Sequence, residues 1–149
     1  MRFRVRALTL CLLTAVGTVA LIGGGAEAAV PKIPMLDRLA VSQGTAVVSL
    51  AKGSVSVKAT LAPLPATIDT GAGTFVATIY KAYLVSSTDA AVEIPLGSLY
   101  PSSKSKASVS AALKGDVSHL GLDRVVVVAY SKDGLSSFDV LTGTLPQPL

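Results

Sequence analysis

The polar residues that could do chemistry are few. The chain has a single histidine, a single cysteine and 9 acidic residues. His119 stands three residues after Asp116 and four before Asp123. On one helix face that spacing would offer three metal ligands. Gly115 and Gly121 break such a helix and point to a solvated loop. Ser118 adjoins His119, but neighbouring side chains point apart, so the pair cannot act as nucleophile and base. Cys11 lies in a segment expected to be removed, which leaves no thiol for catalysis or metal binding. No glycine-rich phosphate loop follows a strand pattern. No cofactor-binding and no metal-binding residues are therefore assigned.

The sharpest motif is Ala66-Thr67-Ile68-Asp69-Thr70-Gly71-Ala72. It resembles the active-site turn of aspartic proteases, especially the retroviral type. That resemblance implies a homodimer in which each chain supplies one aspartate. Asp69 would be the catalytic group, with Thr70 and Gly71 shaping the turn. Two carboxyls sharing one proton would then activate a water. The chain departs from the family pattern in three places. Gly73 stands where a side chain is usual, no glycine-paired flap is evident between Val92 and Tyr100, and His119 precedes Leu120-Gly121. Asp, Thr and Gly are also ordinary turn formers. The plain reading is an exposed turn with the Asp69 carboxyl accepting a bond from the Gly71 N–H.

The elements around these residues follow from hydropathy. Arg2, Arg4 and Arg6 precede an uncharged apolar run from Ala7 to Ile22, which ends at Gly23-Gly24-Gly25 and Ala26-Glu27-Ala28. Basic, apolar, then small residues, in that order, predict a secretory signal peptide over residues 1–28, cut after Ala28. The run is shorter than the roughly 20 residues that span a bilayer. Cys11 fails as a lipid attachment site, because Leu10 precedes it. The expected mature chain, 29–149, has no membrane span and no disulfide, and is secreted or periplasmic. Removing Arg2, Arg4, Arg6 and Glu27 leaves 10 basic and 8 acidic residues. The lysines are scattered, which argues against a nucleic-acid footprint.

After the signal, the pattern is strands. Residues 29–41 carry two prolines and read as a linker or first edge segment. Thr45–Ala51 is rich in strand formers, and Lys52-Gly53 reads as a turn. From Ser54 to Leu61 the sequence alternates, with Val55, Val57, Ala59 and Leu61 on one face. Residues 62–73 form a loop. Residues 74–85 predict one long strand that is apolar on both faces, and 91–94 a short one. A polar loop over 97–105 precedes another strand at 107–113. Residues 115–123 loop again, and 124–131 form a valine-rich strand. Asp133-Gly134 marks a hairpin turn before the final strand, 137–145. About seven short strands suggest a single all-β domain, a two-sheet sandwich or a barrel, and the two-faced strand at 74–85 with the valine run favours an immunoglobulin-like sandwich. Its expected core holds Val55, Val57, Phe75, Ile79, Tyr83, Val126, Val128, Phe138 and Val140.

A second resemblance spans more of the chain. Tyr80-Lys81-Ala82-Tyr83-Leu84-Val85, Ile94-Pro95-Leu96-Gly97-Ser98-Leu99 and Arg124-Val125-Val126-Val127-Val128-Ala129-Tyr130-Ser131 look like segments of the extracytoplasmic sandwich domain of bacterial anti-sigma-K-type factors. The resemblance implies a fold and a location outside the cytoplasm. The sigma-binding and transmembrane parts of that family have no counterpart here. The leading expectation is a non-catalytic binding or structural module whose partner is an envelope or extracellular protein. The dimeric aspartic protease is the alternative.

Overall fold

In the computed structural model, residues 30–51 and 54–149 are described; the expected signal peptide and the Lys52-Gly53 turn lie outside them. The chain is all-β. Ten strands follow in order: β1 (Lys32–Leu36), β2 (Ser42–Ala51), β3 (Ser54–Leu61), β4 (Thr67–Asp69), β5 (Thr74–Val76), β6 (Ile79–Ser86), β7 (Glu93–Leu99), β8 (Ala107–Lys114), β9 (Leu122–Tyr130) and β10 (Ser137–Thr144). A 3₁₀ turn at Ser118–Leu120 precedes β9.

Eight of the strands form one antiparallel sheet in the order β7-β6-β9-β10-β1-β2-β3-β8, and β4 and β5 form a separate hairpin. The sheet rolls until its two end strands, β7 and β8, pack against each other. The result is a nearly closed barrel. The expected two-sheet sandwich needs two separate ladders, whereas these eight strands share one. Register slips between β1 and β2, β6 and β7, β6 and β9, and β9 and β10 supply the bends. Each bulge bends its strand and increases the local twist, which is how a sheet of this size curls.

Strand β3 follows the alternation read from its sequence, with Val55, Val57, Ala59 and Leu61 buried and their neighbours turned outward. Elsewhere the structure corrects the expectation. The segment expected to be a linker or edge contains β1, which sits between β10 and β2. The long strand expected over 74–85 breaks at Ala77-Thr78 into β5 and β6. In β6 the inward face is Tyr80, Ala82 and Leu84, all fully buried; Ile79 and Tyr83 are on the outer, half-buried face. Tyr83 there bonds Tyr130 hydroxyl to hydroxyl at 3.0 Å.

In β10, Asp139 pairs with Val128 and Leu141 with Val127, so Val140 is bulged out of register. Leu141 and Gly143 take the core positions, while Phe138 and Val140 are half-buried near one barrel mouth. Val126 and Val128 share the outer phase of β9, opposite the core residues Val125, Val127 and Ala129, with Val126 buried and Val128 half-buried there, and Phe75 lies on the hairpin.

The barrel interior is filled. Tyr80, Met35, Leu61, Leu84, Leu122 and Val57 are its largest fully buried side chains. Eight strands enclose a lumen just wide enough for side chains or one small ligand, and here the side chains occupy it. Antiparallel pairing throughout places the connections 37–41, 62–78, 100–106 and 131–136 at one end. The start of β1, the end of β10 and the connections 87–92 and 115–121 lie at the other.

Candidate functional site

The first end carries the site. Its lid is the crossover from β3 to β6. Leu64 is buried and plugs the mouth, the Ser102 N–H donates to the Leu64 carbonyl at 2.8 Å, and the buried Tyr80 hydroxyl donates to the Pro65 carbonyl. Two prolines suit such a crossing, because they present carbonyls without requiring partners for N–H groups. Beyond the lid, the β4–β5 hairpin forms a sheet of its own and packs Ile68 and Phe75 against the core.

Next to it is the 37–41 connection, closed by one carboxylate. Asp37 Oδ1 accepts the N–H groups of Leu39 and Val41, each at 2.9 Å, and its Oδ2 accepts from Gln43 Nε2 at 2.9 Å. The bond from Val41, then that from Gln43, holds the Asp37 carboxyl below the usual aspartate range. Ala40 adopts φ +60°, the one positive φ among the described non-glycine residues. That conformation is strained for alanine. The strained, carboxylate-locked turn presents Arg38 and Leu39 to solvent. Arg38 lies 4.7 Å from the Phe138 ring centroid and donates to the Thr70 carbonyl at 3.3 Å. Phe138 stacks on Phe75 with centroids 6.1 Å apart.

Between this turn, the crossover and β4 runs a groove of about 770 Å³. Its walls are mostly apolar, including Leu64, Pro65, Ile68, Phe138 and Val140, and Arg38 supplies the cation. This volume and composition suit a small ligand or a short peptide.

Asp69 is on the rim of the same groove, exposed at the end of β4. Its Oδ1 accepts the Gly71 N–H at 2.8 Å. The Thr70 hydroxyl donates to the Gly73 carbonyl at 2.8 Å, and the Thr70 N–H to the same carbonyl at 2.9 Å. Gly71 supplies φ +77°, which the turn requires. Asp69, Thr70 and Gly71 thus form a self-contained Asx turn. Asp37 is the other carboxylate on the groove, and its three bonds stabilise the ionised form rather than a shared proton.

The remaining candidates are dispersed at the opposite end. Asp116 accepts from the Ser118 N–H at 2.9 Å and its hydroxyl at 2.6 Å; the hydroxyl bond chiefly lowers its pKa. Asp123 is engaged by the N–H and hydroxyl of Ser87 and by Arg124. His119 sits in the 3₁₀ turn. No cluster of three or more His, Cys, Asp or Glu occurs among the described residues. No described helix is long and apolar enough to cross a membrane.

No family model, curated protein or solved structure matches the chain.

Two features of the site escaped the sequence. Arg38 and Phe138 are a hundred residues apart in the chain and meet only because β1 and β10 are neighbours. The apolar tips of the connections are the second. Leu39, Val41, Val76, Tyr100 and Leu135 are five of the seven large apolar residues most exposed among those described, and all five stand at this end. Leu39 next to Asp37-Arg38 was the one legible hint, an apolar residue within a turn.

Proposed function

We propose that this protein is an extracytoplasmic, non-catalytic binding module that meets its partner with the end of the barrel carrying the β4–β5 hairpin. The observation that carries the reading is the concentration of exposed apolar tips there, with Leu39 83% and Leu135 87% exposed. Exposed apolar surface gathered in one place marks interaction sites, and connections held by a rigid barrel are where binding residues collect. Location outside the cytoplasm rests on the Arg2–Ala28 pattern, and the mature protein is then 29–149. The three segments that resemble the anti-sigma-K-type sandwich form β6, β7 and β9, which are adjacent in the order β7-β6-β9. A shared three-strand unit is a likeness of fold, and sigma-factor regulation does not follow from it.

The test uses protein purified from the envelope or culture fluid, whose mass should place the N-terminus at Ala29. Wild type, a Leu39→Ser/Leu135→Ser double variant and Leu50→Ser, a control at the opposite end, are used to capture partners from envelope extract. A partner held by wild type and Leu50→Ser but lost by the double variant is expected. Capture that survives the double variant, or no capture by any of the three, overturns the reading.

A further inference from the structure

We propose that the groove beside β4 takes an extended peptide segment of the partner, which adds a strand to the free edge of β4 and places an acidic side chain on Arg38. This deepens the binding-module reading and rests on it.

Thr67 pairs with Val76, Ile68 with Phe75 and Asp69 with Thr74. The Ala77 N–H donates to the Ala66 carbonyl at 2.8 Å, and the Thr70 N–H to the Gly73 carbonyl at 2.9 Å. Hydrogen-bonded pairs alternate with non-bonded pairs in an antiparallel ladder. Ala66–Ala77 and Thr70–Gly73 are bonded pairs, so Ile68–Phe75 is bonded too. The N–H and C=O groups of Thr67 and Asp69 must then point away from β5. Among the described residues these four groups have no partner.

Among the described residues β4 has only β5 as a neighbour, and all three of its residues line the groove. The outward groups of Thr67 and Asp69 therefore form a two-rung template for another strand. Unpaired edges of this kind are used in peptide recognition, where main-chain bonds supply affinity and alternate side chains enter pockets. The groove offers such a pocket, walled by Leu64, Phe138 and Val140.

Arg38 sets the charge. It reaches across to the Thr70 carbonyl, one residue past the end of β4. It makes no ion pair among the described residues, where Arg124 with Asp123 is the one such pair. A guanidinium carries five donors in a planar fork. One donor is spent on Thr70, and the stack on Phe138 keeps the plane in place, so the remaining donors can meet a carboxylate at the end of the added strand. An alternating aliphatic segment with a glutamate or aspartate at one end fits both features.

The test is selection of a random heptapeptide library on the processed protein, followed by fluorescence polarisation with the strongest peptide. Enriched peptides should alternate β-branched or aliphatic residues with polar ones and carry an acidic residue near one end. Thr67→Pro removes an outward N–H without touching the bonds to β5, and should weaken binding on the order of tenfold. N-methylation of the peptide should abolish binding at every second residue only. Arg38→Ala should weaken the acidic peptide but not its Glu→Gln or Asp→Asn analogue. Circular dichroism confirms that both variants keep the fold.

The proposal is overturned if the library yields no enriched sequence, or if Thr67→Pro binds like wild type. It also fails if N-methylation shows no alternation, if Arg38→Ala treats the acidic and neutral peptides alike, or if sedimentation shows two copies paired through this edge. Envelope capture that persists in Thr67→Pro and Arg38→Ala but is lost in Leu39→Ser/Leu135→Ser would sink the strand-addition proposal and leave the module reading intact. Peptide binding without envelope capture would do the reverse.

Discussion

Gly97 of β7 lies directly against Val109 of β8: a Cβ added at Gly97 would stand 2.7 Å from Val109 Cγ2. β7 and β8 are the two ends of the rolled ladder. This contact is the point at which the barrel shuts, and it closes through side-chain packing rather than through another paired strand. Gly97 also holds φ +153°, which side chains rarely adopt.

Gly97→Ala should therefore destabilise the protein by about 1–3 kcal/mol, through overpacking and backbone strain together. Shortening the opposing residue should relieve only the packing share. In urea unfolding, Gly97→Ala/Val109→Ala should be more stable than the sum of the single effects predicts, with a coupling of about 0.5–1 kcal/mol. Strict additivity would show that the seam is open at this level.

Tyr80 ties the core to the lid. Burial pushes its pKa up to about 12, against about 10 in an unfolded chain. A raised pKa means that the folded state keeps its proton when the unfolded state has lost it. The stabilisation is complete below about pH 10 and is lost as pH rises towards about 12. Tyr83, also raised to about 12 by burial and then by the Tyr130 hydroxyl, adds to the same limb. Tyr80→Phe should flatten part of that alkaline decline in denaturation midpoints. At neutral pH it should cost about 1 kcal/mol for the lost bond to the Pro65 carbonyl. An unchanged alkaline slope would show that Tyr80 does not report on it.

Asp69→Asn should change stability by less than about 1 kcal/mol, because asparagine makes the same Asx turn. Under the binding-module reading it leaves no catalytic loss to measure. The contrasting result is proteolysis of unfolded protein at acid pH, blocked by an aspartic-protease inhibitor and absent in Asp69→Asn. That would establish the dimeric protease instead.

The all-β class was legible because it depends on local pattern. The run from Ser54 to Leu61 alternates polar and apolar residues, and a strand with one buried face must do so. Asp133-Gly134 announced its turn in the same way, with Gly134 at φ +70°. The Asx turn at Asp69 was legible too, since its bonds span two residues.

What the tertiary structure alone decided is which face points inward and which strands are neighbours. Residues 79–85 are apolar on both faces, so their pattern could not choose Tyr80 over Tyr83 for the interior. The bulge at Val140 reversed the phase of β10 through its pairing with Val127 and Val128, a long-range constraint that no local period contains. One rolled sheet instead of two flat ones depends on four such bulges and on Gly97 fitting Val109. The groove joins Arg38 of the 37–41 connection, Asp69 of β4 and Phe138 of β10. Local chemistry sets each turn and strand, but only closure of the barrel brings them to one rim.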